Sequence, residues 1–501
     1  MRILSVLVAT AALFAATAPA AGASRADWDA CKGDDPDRSI AVCTRIIQGR
    51  GETAKDSAIA HHERGLSYKS KGDFGHAIAD FGEAIRLDPN YAEAYYLRGV
   101  TYGNNGDLDR AIADYSEAIR LDPKLAAAYN NRGNAYKNKG DLDRAIADYN
   151  EAIRLAPELE ATHPETIVRR LAHYNRGRAY ASKGDLDRAI ADLSEVIRLA
   201  PGVADARQDR AQFYQMQGNY ERAIADLSEA IRLDPKSAVA YNNRGSAYAF
   251  QGDIDRAIAD FGEAIRLEPK VAAAHYNRAR LYQIQGNNDR AIADFNEAIR
   301  LDPKSAVAYN NRGSAYAFQG DIDRAIADFS EAIRLDPNFA DAYNNRGNAH
   351  RAKRNFDLAI ADFDAAIRLN APAPPSLAHG NAGGGNGRGG ASFEGNGAYT
   401  YANRGAAYAA KGDIDRAIAD FDDAIRLDPK FAGAYFNRGS AYQVKGDLDR
   451  AIADFNEALR LDPKLTAACY RRGKAYADQG DLDRGLADLK ACLQRLEEPG
   501  Q

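Results

Sequence analysis

The sequence predicts an all-α fold, an α-solenoid of helix-turn-helix repeats stacked in a row. Three observations predict it. One short motif recurs along the chain at a spacing of 34 residues. Within each copy, apolar and small residues follow the helical period, and glycine-aspartate and proline breaks separate the periodic stretches. No segment shows the two-residue alternation of a strand. A length of 501 residues would by itself suggest three or four domains, but the internal period replaces that estimate.

The elements follow in chain order. Residues 1–23 read as a secretory signal peptide: Met1-Arg2 is a positive start, Ile3 to Ala18 carries no charge, and small residues end the stretch. Cleavage is expected after Ala23, or else after Ala20. The apolar run is too short and too diluted by Ala and Thr for a membrane span, which needs roughly 20 strongly apolar residues. No other segment is long and apolar enough to cross, so the mature chain is expected to be exported, without a membrane span. Residues 24–57 read as a degenerate N-terminal cap hairpin, because Asp37-Arg38-Ser39-Ile40-Ala41-Val42 echoes the Asp-Arg-Ala-Ile-Ala-Asp of later copies. Terminal repeats are commonly atypical, since one of their faces meets water.

Twelve repeats follow, nine over residues 58–369 and three over 401–499. A marker glycine, or its alanine substitute, falls at Gly65, Gly99, Gly133, Gly177, Ala211, Gly245, Ala279, Gly313, Gly347, Gly405, Gly439 and Gly473. Two steps are longer than 34: Gly133 to Gly177 is 44 residues and Gly347 to Gly405 is 58. The first insertion, near 158–169, lengthens a turn, and Thr162-His163-Pro164-Glu165 suits a helix start. The second, 370–400, is rich in Gly, Asn, Ala and Pro and reads as a flexible loop, a hinge between nine repeats and three. Repeat 9 is degenerate: His350 replaces a tyrosine and Arg354 a turn glycine.

Repeat 3 shows the local logic. Ala128, Tyr129, Gly133 and Tyr136 form one helical face; Gly140-Asp141 breaks the helix and Asp143 is expected to cap the next. Ala145, Ile146, Tyr149, Ala152 and Ile153 form the buried stripe of the second helix, and Pro157 stops it. Gly133 and Ala145 are small where the helices must approach. One hairpin cannot bury its own apolar face, whereas stacked neighbours can, which yields a right-handed superhelix with a concave inner surface. This order of large and small residues, Tyr129, Gly133, Tyr136, Ala145, Tyr149, Ala152 and Pro157, resembles the tetratricopeptide repeat, over about residues 58–499. One departure is systematic: the residue before each marker is Arg, from Arg64 to Arg472, where the family usually has Leu.

Charge and motif content exclude several functions. Lys and Arg number 66 and Asp and Glu 71, a net charge of −5, which makes a poor general nucleic-acid binder. Gly385 to Gly390 fits G-x-G-x-x-G but follows no strand, so it lacks the phosphate-binding context. No metal-spaced histidines and no G-x-S-x-G occur, no cofactor motif stands, and no stretch is left for a catalytic domain. Repeats 6 and 8 are nearly the same peptide, which argues against a unique active site. Two repeated constellations remain. Arg132 with Asp148, Arg244 with Asp260 and Arg438 with Asp454 recur as a pair in all twelve copies; they are either a charge ladder for a ligand or, as strict repetition favours, an ion pair holding hairpins together.

The second constellation lies on the first helix of each repeat, which lines the concave face in the family resembled. Asn130, Asn131, Asn175, Asn242, Asn243, Asn277, Asn310, Asn311, Asn344, Asn345, Asn403 and Asn437 stand there, interleaved with Tyr96, Tyr174, Tyr276 and Phe436, with Phe250 and Phe318 further along. An amide can donate to and accept from a peptide backbone; the alternative is an exposed face merely solvated. The run resembles the asparagine ladder of the O-linked N-acetylglucosamine transferase superhelix, without that enzyme's catalytic part. The expected function is a non-enzymatic scaffold binding an extended peptide or partner protein. The alternatives are a structural spacer of a cell-envelope or polysaccharide-export complex, and a regulatory subunit of a separate enzyme. The repeats resemble bacterial tetratricopeptide proteins, so the exported setting implies the periplasm, or secretion.

All four cysteines lie in the terminal elements. In an antiparallel hairpin the start of one helix faces the end of the next, so Cys469 and Cys492 should be neighbours. Two bridges, Cys31–Cys43 and Cys469–Cys492, are expected in an oxidising compartment; four small buried thiols are the alternative.

Overall fold

A computed structural model describes residues 22–49, 51–158, 163–370 and 396–497. All regular structure among them is helical, in 26 helices with no strand, and the repeats form an α-solenoid. Two helices, Arg25–Cys31 and Pro36–Gln48, precede repeat 1. Each repeat then supplies two helices, such as Ala126–Asn138 and Leu142–Leu155 in repeat 3.

The chain divides into two compact units, residues 1–251 and 252–501, with the division falling in the turn of repeat 6. Within each unit a helix packs on its predecessor and its successor, and the first helices of successive repeats also approach one another. Second helices do not meet in this way. The first helices therefore occupy the inner side of the bend within each unit. The core is a chain of small clusters and not one centre. In the first unit Ala145 and Tyr149 of repeat 3 pack with Ala179 of repeat 4; in the second, Ala325 and Phe329 of repeat 8 pack with Ala349 of repeat 9. Each repeat thus buries its apolar stripe against the next, as a quasi-one-dimensional fold requires.

The hairpin turn explains its sequence. Gly140 has φ +82°, a left-handed conformation that a side chain disfavours. Asp141, and not the expected Asp143, caps the second helix: its carboxylate accepts from the Arg144 N–H at 3.1 Å. Asp143 lies within the first turn and instead pairs with Lys183 of the next repeat. Gly133 is required by close approach, because a Cβ there would lie 2.7 Å from the Tyr149 ring.

Pro164 opens the first helix of repeat 4, which runs to Ser182, with His163 as its cap; residues 159–162 lie outside the described residues. Arg169, within the added turn, donates to the carbonyls of Ile153 and Ala156 at 3.0 Å each. The second insertion is shorter in structural terms than the 370–400 expected. Asn370 ends one helix and Asn396 begins the next, and residues 371–395, including the G-x-G-x-x-G match, lie outside the described residues. Repeats 9 and 10 stack directly within the second unit: Ala359 and Phe363 share a cluster with Ala407. The signal segment up to Ala21 also lies outside the described residues. No helix among those described is long and apolar enough to cross a membrane.

Candidate functional site: the first-helix face

The arginine before the marker residue joins three helices where the preceding repeat offers a polar side chain; Arg98 and Arg278, which face Gly82 and Gly262, make the aspartate fork alone. Arg132 donates through Nε and Nη2 to the two carboxylate oxygens of Asp148, at 2.8 and 2.7 Å, in a bidentate fork. Its remaining Nη1 reaches back 3.0 Å to Ser116 on the second helix of the preceding repeat. Arg210 does the same with Asp226 and Ser194, and in the second unit Arg346 with Asp362 and Ser330. Asp148 is only 6 % exposed. Burial pushes the Asp192 carboxyl up, and Arg176 together with His173 more than offsets this, leaving it below its ordinary value. At Asp420 burial prevails over Arg404 and the carboxyl lies above its ordinary value. A fork whose acceptors are already filled has nothing left for a ligand, so this constellation is a stacking element. It also explains why Arg stands where an apolar residue would tie only two helices.

The asparagines form rungs between repeats. Asn131 donates to the Tyr96 hydroxyl at 3.0 Å, Asn175 to Asn130 at 3.1 Å, and Asn130 to its neighbour Asn131 at 3.1 Å. Tyr174 donates to Asp209 at 2.7 Å. Asn242 donates to Asn243 at 3.4 Å, and the Asn243 carbonyl accepts from Gln215 at 2.9 Å. In the second unit Asn311 donates to Tyr276 at 2.8 Å, Asn345 to Asn310 at 3.0 Å, Asn403 to Asn344 at 3.4 Å, and Asn310 to Asn311 at 3.5 Å. Asn277 and Asn437 are partly buried. Asn130 and Asn310 are each 6 % exposed, and their amide oxygens accept from the next repeat; the other ladder asparagines are partly buried. Sequence alone does not distinguish these cases, because an amide that bonds a ligand and one that bonds the next helix occupy the same register.

Phe250 and Phe318 end the first helices of repeats 6 and 8. They are 66 % and 78 % exposed, although Phe250 stacks on Tyr220 with ring centroids 5.2 Å apart. Met216 and Ile284, which stand in the same register five residues past their markers, are also exposed, as are Val239 and Val307 at the starts of their helices. The reading of the sequence missed these four, although the register of Phe250 and Phe318 pointed to them.

The cysteines lie in two pairs. Cys31 and Cys43 are 5.0 Å apart at Cα and Cys469 and Cys492 6.0 Å, each pair joined through sulfur.

Family models described as "Tetratricopeptide repeat" match residues 126–159, 176–242, 242–306, 310–374, 403–466 and 466–495, and one described as "TPR repeat" matches 65–106 and 104–140. This chain belongs to the tetratricopeptide-repeat family. Among solved structures it is similar to that of the APC/C hetero-tetramer Cut9-Hcn1, at 18% identity over 90% of this chain and 95% of that one, TM-score 0.45. It is also similar to MamA, at 30% identity over 32% of this chain and 94% of that one, TM-score 0.31, and to yeast Tom70, at 18% over 85% and 96%, TM-score 0.37. A comparison with curated proteins returned no match.

Proposed function

We propose that this chain is an exported, non-catalytic scaffold that holds an extended peptide or a segment of a partner protein against the first-helix face of its repeats. The observation that carries this is apolar area left largely in water on the first helices. In the first unit Met216, Val239 and Phe250 are 61 %, 56 % and 66 % exposed; in the second, Ile284, Val307 and Phe318 are 66 %, 47 % and 78 % exposed. Large apolar side chains exposed in a recurring register on the first helices are what a bound peptide would cover. A passive spacer of an envelope complex has no reason to keep them, so the binding reading is favoured over the spacer reading. Export rests on the Met1–Ala23 pattern, and paired cysteines suit an oxidising compartment. The periplasm, or secretion, is the setting this implies.

The test is affinity capture from periplasmic extract by the wild-type chain and by Phe250→Ser and Phe318→Ser variants of unchanged helicity. A partner retained by the wild type and lost by the variants is expected. Equal retention by all three, or none by any, would overturn the reading.

A further inference from the structure

The second helix of repeat 11, Leu448–Leu461, shows what a following repeat does to the face turned towards it. Leu448 and the buried Ile452 pack in a cluster that includes Ala475 of repeat 12. Asp449 accepts from the Gln479 amide at 2.7 Å, and Asn456 accepts from Nη1 of Arg472 at 2.6 Å. The second helix of repeat 12, Leu482–Glu497, carries the same four positions 34 residues on, as Leu482, Leu486, Asp483 and Lys490. Among the described residues nothing covers them. Leu482 and Leu486 are 69 % and 55 % exposed, and Asp483 and Lys490 are exposed and lack an ion-pair partner among the described residues. Tyr470, on the first helix of repeat 12, is exposed as well, in the register where the Tyr96 and Tyr276 hydroxyls accept from the next repeat.

A further repeat of the same pattern does not fit this face. The position of Lys490 elsewhere carries an acceptor for the incoming marker arginine, such as Ser116, Asp422 or Asn456. Here it carries a cation, which repels an arginine. The face fits itself instead. Leu482 and Leu486 form one stripe at helical spacing, and Asp483 and Lys490 lie on one flank of it, seven residues or about two turns apart. A two-fold axis between two such helices in antiparallel array lays stripe on stripe and brings the same flanks together with their ends exchanged. Each Asp483 then meets Lys490 of the other copy, and the contact occurs twice. We propose that this chain forms a homodimer in which the second helices of repeat 12 pack antiparallel through Leu482 and Leu486 and exchange Asp483–Lys490 ion pairs. The bridge from Cys469 to Cys492 ties this helix to the first helix of its own repeat, so the surface is set before two copies meet. The dimer does not depend on the scaffold reading above. It would place two first-helix faces on one particle, which favours a partner that carries two copies of its recognition segment.

Sedimentation velocity of the full chain with its bridges intact tests this, at low ionic strength, where exposed charges are least screened. The wild type is expected to pass from monomer to dimer as its concentration rises, and to stop there. Asp483→Lys sets lysine against lysine at both contacts, and Lys490→Asp sets aspartate against aspartate. Each variant alone should therefore dissociate about tenfold more readily than the wild type. Mixing the two restores opposite charges at both contacts and should return a heterodimer of wild-type affinity. Circular dichroism checks the helicity of each variant, and recovery on mixing shows that both remain folded. A wild type that stays monomeric, a dimer indifferent to both reversals, or no recovery on mixing would overturn the proposal. So would a mass that keeps rising with concentration, because a head-to-tail contact generates open chains and a two-fold contact closes. Capture through Phe250 and Phe318 tests the scaffold reading separately, so either can fail alone.

Discussion

Single residues in repeat 9 show what the repeat needs by lacking it. Arg354 stands where other turns have glycine and is held at φ +62°. A side chain in this left-handed region costs roughly 1–2 kcal/mol, and Arg354 is exposed with no packing to lose. Arg354→Gly should therefore stabilise the second unit by about 0.5–1 kcal/mol, part of the gain being offset by glycine's freedom in the unfolded chain; urea unfolding of both proteins measures it. His350 stands where the other repeats have tyrosine. In repeats 2 and 3 that tyrosine lies under Arg110 or Arg144, each 4.6 Å from the ring centroid, whereas repeat 9 has the half-exposed Leu358 in the arginine's place. Burial holds the His350 imidazole below its ordinary value of 6.5, against the opposing pull of Asp362 at 3.9 Å. Its folded form binds a proton less readily than its unfolded form, so stability present above pH 6.5 is lost as the pH falls below it. His350→Tyr should flatten that part of the pH–stability profile between pH 7 and 5; an unchanged slope would show that His350 does not carry it.

At the scale of the helix, two kinds of rung hold successive repeats, and their exposure separates them. The lysine-to-aspartate rungs at the turns, such as Lys139 to Asp109, are exposed and worth about 0–1 kcal/mol each. The arginine forks and asparagine rungs are more buried. Asn310 bonds both Asn311 and Asn345, so Asn310→Ala leaves two amides without their partner and should cost about 1–2 kcal/mol. Phe318→Ala, on the same helix but 78 % exposed, should change stability by less than about 0.5 kcal/mol. Thermal melts of the two variants check the contrast; equal losses would place the phenylalanine in the packing and not on a binding face.

At the scale of the whole molecule, a stack in which each repeat touches only its neighbours is weakest at its ends. Both ends carry a cysteine pair: Cys31 with Cys43, closing 12 residues, and Cys469 with Cys492, closing 23. Loops of this length allow a bridge to contribute about 2–4 kcal/mol against local opening. Exported protein is expected to hold both bridges, shown by non-reducing peptide mapping, and reduction should raise hydrogen exchange in residues 25–48 and 466–492 before the middle repeats. Four free thiols, or a link between Cys43 and Cys469, would remove this account of the ends and count against the proposal of export.

The repeat length, the two helices of each repeat and the arginine-to-aspartate forks, such as Arg132 with Asp148, were legible in the linear sequence. These follow from local period, turn chemistry and strict recurrence, which a linear reading sees. Tertiary structure decided which polar groups on the first helix are spent. Asn310 and Phe318 sit two turns apart on one helix, and only the neighbouring repeat makes one a buried rung and leaves the other in water. It also decided that Asp141, not Asp143, caps the second helix of repeat 3, because Asp143 is drawn to Lys183 of the next repeat. And it decided that repeats 9 and 10 stack despite the residues between them, because Ala359, Phe363 and Ala407 share one cluster whatever the length of chain that joins them. A side chain's helical face is a local property; whether a partner already occupies that face depends on groups 35 or more residues away, as the Asn311 to Tyr276 rung shows.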